Sequence, residues 1–537
     1  MRSLALSSTV LLASLLAAPR ADAQHLLSTL SGDGLGDRMQ FGGNVEWDGE
    51  TAAIRQVETQ LGGNQRNHVR MYERDGVSLV FTELLEDPTL PYSIGFGASM
   101  AIQADELVVS APGTLPGFHG QLYVYRRFVG GWGVDQIVYS NGAGLYGSRF
   151  GSTVKLEGDV LMAAAPFADV TPGSGSEGTV VVHERQPGGW AEAQRLTMPG
   201  PGSSRFFGMG LDVHLDGAVI GAPGHEVGGE RTGGAWVFRS TGSTWALEGE
   251  LQPVVPPEDE SKFGDVVAIE GDVAAVAAWA ATVDGLTRAG RVHVFERTVN
   301  GWVETANLTA RTPGALDSFG LSLSFSQGVL AIGSRSFSRT DSEGEVHVFR
   351  RDGSGWQLDE VLLPPGPSPN PFRVFGGVVS AADGALLVAD GRTVLGQIDP
   401  GDVQLYDLDV DTTRHCSSTV NASGAAATIF GDGSRTIAAD RFRLRAENVP
   451  TGFGLFFHGA ARVDLPLGAG RLCVGGPSLV RSPAVPADGS MSLDVDFNAP
   501  WGAALAPGAT RSFQAWFRDG ASGFGFQSSD AVEITFR

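Results

Sequence analysis

The sequence predicts an all-β chain, a seven-bladed β-propeller followed by a small C-terminal β-sandwich-like domain, on three observations. A Phe-Gly pair recurs at Phe41, Phe96, Phe150, Phe207, Phe263, Phe319 and Phe375, at intervals of 54 to 57 residues. Each interval holds short stretches rich in β-branched and aromatic residues, parted by Gly, Pro and Asp turns, and no helix-period stretch of useful length. The last copy stops after its third stretch, and the missing fourth lies ahead of the first copy. A fixed period of this length signals a repeat architecture, and four antiparallel strands repeated radially make a propeller.

The chain opens with "MRSLALSSTVLLASLLAAPRADAQ". Arg2 supplies a charged start, Leu4 to Ala18 an apolar stretch, and Ala21-Asp22-Ala23 a small-x-small cleavage site. Residues 1–23 therefore read as a secretory signal peptide, with the mature chain beginning at Gln24. No later stretch is long and apolar enough to span a bilayer. A secreted or cell-surface location is expected. The balance of 38 Lys+Arg against 60 Asp+Glu argues against nucleic acid or an anionic membrane as partner. A monomer is expected. The only two lysines, Lys155 and Lys262, read as a compositional preference for Arg.

The propeller is expected over residues 24–411. Fifteen residues after the Phe come Ala111-Pro112, Ala165-Pro166 and Ala222-Pro223, with weaker versions at Ala278-Trp279, Ser334-Arg335 and Asp390-Gly391. A Gly and an alternating run follow, as in "GQLYVYRR" from Gly120 and "GRVHVFER" from Gly290. A tight turn then leads to Trp132, Trp190, Trp245, Trp302 or Trp356. In the fourth copy the strands are expected at 208–213, 218–221, 235–239 and 245–251. Leu26 to Leu30 are expected to pair with the strand holding Val403 and Tyr406. That closes the ring and hides an exposed edge, which an open array would not need.

Phe-Gly, then Gly-Ala-Pro, then an alternating strand resembles the FG-GAP repeat of integrin α-subunit propellers, related copies of which occur in secreted bacterial proteins. The resemblance covers roughly residues 24–408 and is clearest in the second, third and fourth copies. It implies a propeller and, for integrin-like members, calcium held in extended first-to-second-strand loops. The corresponding stretches here, from "WDGE" at Trp47 to "ADGA" at Ala382, offer at most two carboxylates in a tight turn. Calcium takes about six to eight oxygens. Asp407, Asp409 and Asp411 alternate but lack a turning Gly. No calcium and no other cofactor are expected, and the seven Phe are expected to hold the blades together.

Residues 412–537 form a second, Gly-rich region whose strands include "DRFRLRAENV", "GLFFHG", "MSLDVDF", "RSFQAWFRDG" and "DAVEITFR". Cys416 and Cys473 both fall there, and in an exported protein one disulfide is the favoured reading.

Enzyme motifs are absent. His225-Glu226 has no second His at helical spacing, no Gly-x-Ser-x-Gly elbow occurs, and neither lysine follows a phosphate-binding loop. His183, His293 and His347 lie on third strands and read as packed or surface strand residues rather than ligands. Loop length is more telling. The first-to-second and third-to-fourth turns, on one face, are tight; the second-to-third loops and blade connections, on the other, are long. Binding groups concentrate on long loops carried by a rigid scaffold. The candidates there are His225, Glu226, Glu230, Arg231, Asp284, Arg288, Arg339, Asp341 and Asp399, each also readable as a solvated loop tip. The expected function is non-catalytic binding or adhesion to an extracellular protein or glycan. The alternatives are a secreted hydrolase acting on carbohydrate or lipid, and a structural cell-surface protein anchored by its C-terminal domain.

Overall fold

The computed structural model describes residues 26–31 and 39–535, apart from 60–64, 77, 89–94, 114–118, 140–146, 172, 174, 201, 203, 243, 336–343, 353–354, 365–373, 391–400, 409–412, 417, 434–441, 468–469, 478, 498–500, 503–504, 507–508, 521–522 and 524. Every regular element among them is a β-strand. The residues read as a signal peptide lie outside the described residues.

Seven four-stranded antiparallel sheets form the blades. Blades one to six span 39–86, 100–139, 154–196, 211–250, 267–308 and 322–362. Blade seven is ordered Leu26–Ser31, Asp402–Asp407, Ala385–Asp390, Val378–Ala382, so its outer strand comes from the start of the chain. Leu26 lies opposite Tyr406 and Leu30 opposite Val403. The first strands of the blades touch one another in sequence all the way round, blade seven against blade one. They form the inner ring.

The Phe of each Phe-Gly pair explains the period. All seven are buried, and each belongs to a core cluster that straddles two blades. Phe207, for example, packs with Met162, Ala164 and Val180 of blade three and Leu211, Ile220 and Trp236 of blade four. Burying a Phe side chain stabilises by roughly 1.5–3 kcal/mol. Each Phe also meets a ring on the third strand of its own blade: Tyr72, Tyr123, His183, Trp236, His293, His347 and Tyr406 in turn. His183, His293 and His347, read as packed or surface residues, are three of these partners and are packed, 2 % exposed or less.

The Gly that opens a third strand has a second role. At Gly290 (φ +85°) an added Cβ would lie 2.3 Å from the carbonyl oxygen of Phe319 in the next blade. Gly120, Gly178, Gly233, Gly344 and Gly401 meet Phe150, Phe207, Phe263, Phe375 and Phe41 in the same way. Only a residue without a side chain lets adjacent blades approach this closely.

The fourth blade corrects one expectation. Its strands run Leu211–His214, Gly217–Ala222, Gly234–Ser240 and Trp245–Glu250, so the first begins three residues later than predicted. Phe206 and Gly208 have φ of +56° and +95°, and the Gly208 N–H donates to the Gly221 carbonyl at 2.9 Å. In this blade Phe-Gly is a turn that inserts the Phe between blades, not the start of a strand.

The C-terminal strands form a further, seven-stranded sheet with an adjoining hairpin, Ala461–Leu467 and Gly470–Gly475. "DRFRLRAENV" from Phe442 on and "GLFFHG", read as two strands, belong to one strand, Phe442–Gly459. The chain stays paired through the break because Asn448 takes φ +55° and the register against Val485–Val495 shifts there. Both halves of this strand contribute to a single core that includes Leu444, Phe456, Phe513, Phe517 and Ile534. Cys416 and Cys473 are joined in a disulfide that packs with Phe457, Val474 and Ala531 in a second, smaller cluster.

Candidate functional site

On the tight-turn face the polar side chains are used for assembly. In blades one to five the seventh residue after the Phe reaches the next blade's first turn. Asp48 accepts from the Ala104 N–H at 3.0 Å, Gln103 from Gly158 at 2.9 Å, and Glu157 from Leu215 at 3.2 Å. His214 Nδ1 accepts from Gly271 at 2.9 Å, and Glu270 accepts from Gln327 and, at 2.6 Å, from Gly328. Five consecutive blades are latched in this manner. The carboxylates of Asp48, Glu157 and Glu270 thus face backbone donors, while Asp159, Asp216 and Asp272 pair with arginine side chains. Among the described residues no group of three or more His, Cys, Asp or Glu could hold a metal ion.

The outer strands repeat the device. Gln136 exchanges hydrogen bonds with the backbone of Trp190 at 2.6 and 2.7 Å, and Gln194 does so with Trp245 at 2.8 and 2.7 Å. Buried Glu106 of blade two accepts from Arg185 and from Trp190 Nε1 of blade three.

The inner ring holds a charge cluster that the sequence did not reveal. The fifth residues after each Phe are Glu46, Ala101, Lys155, Asp212, Ala268, Ser324 and Ser380. Lys155 Nζ lies 3.2 Å from Asp212 Oδ1, and Asp212 Oδ2 accepts from the Ile269 N–H at 2.8 Å. Asp212 above all, against the cost of burial and with help from Glu46, holds Lys155 protonated beyond its ordinary range. Burial raises the Glu46 carboxyl, outweighing the pull of Lys155. Lys155 is thus a specific inner-ring ion pair rather than a trace of composition. A repeat alignment by the Phe positions is the signal that places it in this ring.

The long-loop face carries six of the nine sequence candidates; Arg339, Asp341 and Asp399 lie outside the described residues. His225 is half-buried edge-on against Trp236, ring centroids 5.3 Å apart, and burial lowers its imidazole pKa. Glu230 pairs with Val227 across a small turn. Arg231 bonds Glu226 at 3.2 Å and approaches Glu260 at 3.8 Å, so its charge is answered locally. Asp284 is an exposed turn residue with φ +51°. Arg288 behaves differently from Arg231. It is exposed, makes no ion pair among the described residues, and lies over the half-buried Trp279 ring at 5.1 Å.

Two arginine–aromatic pairs therefore stand on this face. The second, missed in the sequence, is exposed Arg149 over Phe167 at 4.8 Å, with Phe206 edge-on to Phe167 at 5.4 Å. Nearby, Val170, Thr171, Glu177, Met198 and Arg205 line a cleft of about 280 Å³. Such pairs combine a planar cation with flat apolar surface, a chemistry suited to ligands carrying both an anion and a ring.

No known family profile matches the chain, and no curated protein matches its sequence. Among solved structures it is similar to the β-propeller domain of the Trilobed protease from Pyrococcus furiosus, described as having an open velcro topology. The identity is 10%, the match covers 69% of this chain and 93% of that one, and the TM-score is 0.43. Among the described residues no helix is long and apolar enough to cross a membrane.

Proposed function

We propose that this chain is an exported, non-catalytic binding module of FG-GAP type that presents its long-loop face to an extracellular protein or glycan. One observation carries the reading. Arg149 and Arg288 lie over aromatic rings on the long-loop face without ion-pair partners among the described residues, whereas on the turn face Asp48, Glu157 and Glu270 are bound to backbone donors of neighbouring blades. The Cys416–Cys473 disulfide supports export, since such bonds persist in oxidising compartments.

The test is capture by the full chain on arrays of glycans and extracellular proteins, repeated with face-specific variants. Arg149→Ala and Arg288→Ala are expected to weaken capture. Val129→Asp and Val299→Asp, at fully exposed tips of third-to-fourth turns, are expected to leave it unchanged. Equal sensitivity of the two faces would refute the assignment.

A further inference from the structure

Three departures from the repeat converge between blades five and six. At the sixteenth residue after the Phe, blades two, three and four carry Pro112, Pro166 and Pro223 and blades one and seven Val57 and Gly391; blades five and six carry the large polar or aromatic Trp279 and Arg335. At the second residue after the Phe, the other blades carry Gly43, Ala98, Ser152, Met209, Leu321 and Gly377; blade five carries Asp265. The fold does not require these changes. The Gly264 and Gly320 N–H groups still donate to Ala277 and Gly333 at 3.1 and 3.0 Å, as Gly208 does to Gly221 in blade four.

The three residues are brought together with Arg288. Trp279 Nε1 donates to Asp265 Oδ2 at 2.7 Å, and the Arg288 guanidinium covers the same indole. The Ser318 N–H donates to the Arg288 carbonyl at 2.9 Å, and the Arg335 N–H to the carbonyl of adjacent Asp317 at 2.7 Å. The chain segments that carry the two arginines are thereby held side by side. Burial and then the charge of Arg288 lower the Arg335 guanidinium pKa. In a chain of net charge −22, the exposed Arg288 guanidinium stands over the Trp279 indole with no ion-pair partner among the described residues.

We propose that this cluster binds the uronate units of an acidic polysaccharide, a conclusion that rests on the long-loop-face reading above. Arg288, beside Arg335, offers a planar donor fork to the sugar carboxylate. The half-buried Trp279 indole beneath Arg288 adds apolar surface beside the guanidinium for the pyranose C–H groups. The Asp265 carboxyl, anchored through one oxygen to the indole, keeps its other oxygen for a sugar hydroxyl.

Calorimetric titration of the full chain with polygalacturonate oligomers, and separately with the same oligomers as methyl esters, tests the proposal. The acid is expected to bind at least about tenfold more tightly than the ester, with affinity falling as salt rises, because the charge-assisted bonds are lost on esterification. Arg288→Ala is expected to lose about tenfold or more, and Arg288→Lys less, since an ammonium keeps the charge but not the fork. Val299→Asp is expected to bind as the parent does. Equal affinity for acid and ester, an unchanged Arg288→Ala, or no binding to polygalacturonate, alginate and hyaluronan alike would overturn the uronate assignment. Array capture of another ligand class that Arg149→Ala weakens and Arg288→Ala does not would end this proposal and leave the long-loop reading standing. Capture lost only through turn-face substitutions would end both.

Discussion

Substituting Gly290 by Ala puts a methyl group into the joint between blades five and six. The methyl would lie 2.3 Å from the Phe319 carbonyl oxygen and 2.5 Å from its nitrogen, at a backbone φ of +85°. The same nitrogen donates to the Ala289 carbonyl at 2.9 Å, so the clash falls on a blade-to-blade hydrogen bond. Gly301, in the third-to-fourth turn of blade five, supplies the control: φ is +105° and nothing lies within 4 Å of its added methyl. Both variants bear the left-handed backbone cost of about 1–2 kcal/mol. Gly290→Ala adds overpacking against backbone atoms, about 1–3 kcal/mol. Gly301→Ala is therefore expected to lose about 1–2 kcal/mol and Gly290→Ala about 2–5 kcal/mol. Urea unfolding of the full chain, followed by tryptophan fluorescence under identical conditions, reads the difference. If Gly290→Ala loses no more than Gly301→Ala, the blades are not held by this close approach.

Deleting residues 24–31 removes the outer strand of blade seven and bares the edge of Asp402–Asp407; thermal unfolding is expected at lower temperature with more aggregation, and an unchanged transition would contradict the closure. Burial pushes the His183 imidazole down to about 4 from 6.5, so its contribution is complete above pH 6.5 and lost as pH falls toward 4. His183→Gln is expected to shrink the stability difference between about pH 7.5 and 4.5 by roughly 2–3 kcal/mol in denaturant unfolding, and an unaltered pH dependence would count against this burial effect. The melting temperature is expected to be the same with and without a calcium chelator; a large drop on chelation would mean that the turn carboxylates hold an ion.

Much of the scaffold was legible because propeller structure is local and repeated. A Phe every 54 to 57 residues, alternating strands and Gly-marked turns each state their own conformation within a few residues. The offset between Leu26 and the last third strand was legible for the same reason: one missing strand at one end matches one extra at the other. The Phe-Gly turn was harder. Its residues read as strand formers, but insertion of the ring between blades overrides that preference. The break at Asn448 was hidden likewise, since Pro450 and Gly452 look like a turn while the partner strand holds the segment extended.

Composition and period by themselves determined an all-β chain of seven like units, the residues that bury, and the strand that closes the ring. Tertiary structure alone decided the partners. Lys155 and Asp212 are 57 residues apart in the chain and belong to different blades, yet radial repetition sets them 3.2 Å apart. Trp279, Asp265, Arg288 and Arg335 are likewise scattered over two repeats. Sequence separation carries no distance once the chain closes on itself. Arg231 and Arg288 are alike as loop arginines, and only the fold shows one answered by Glu226 and Glu260 and the other standing over an indole.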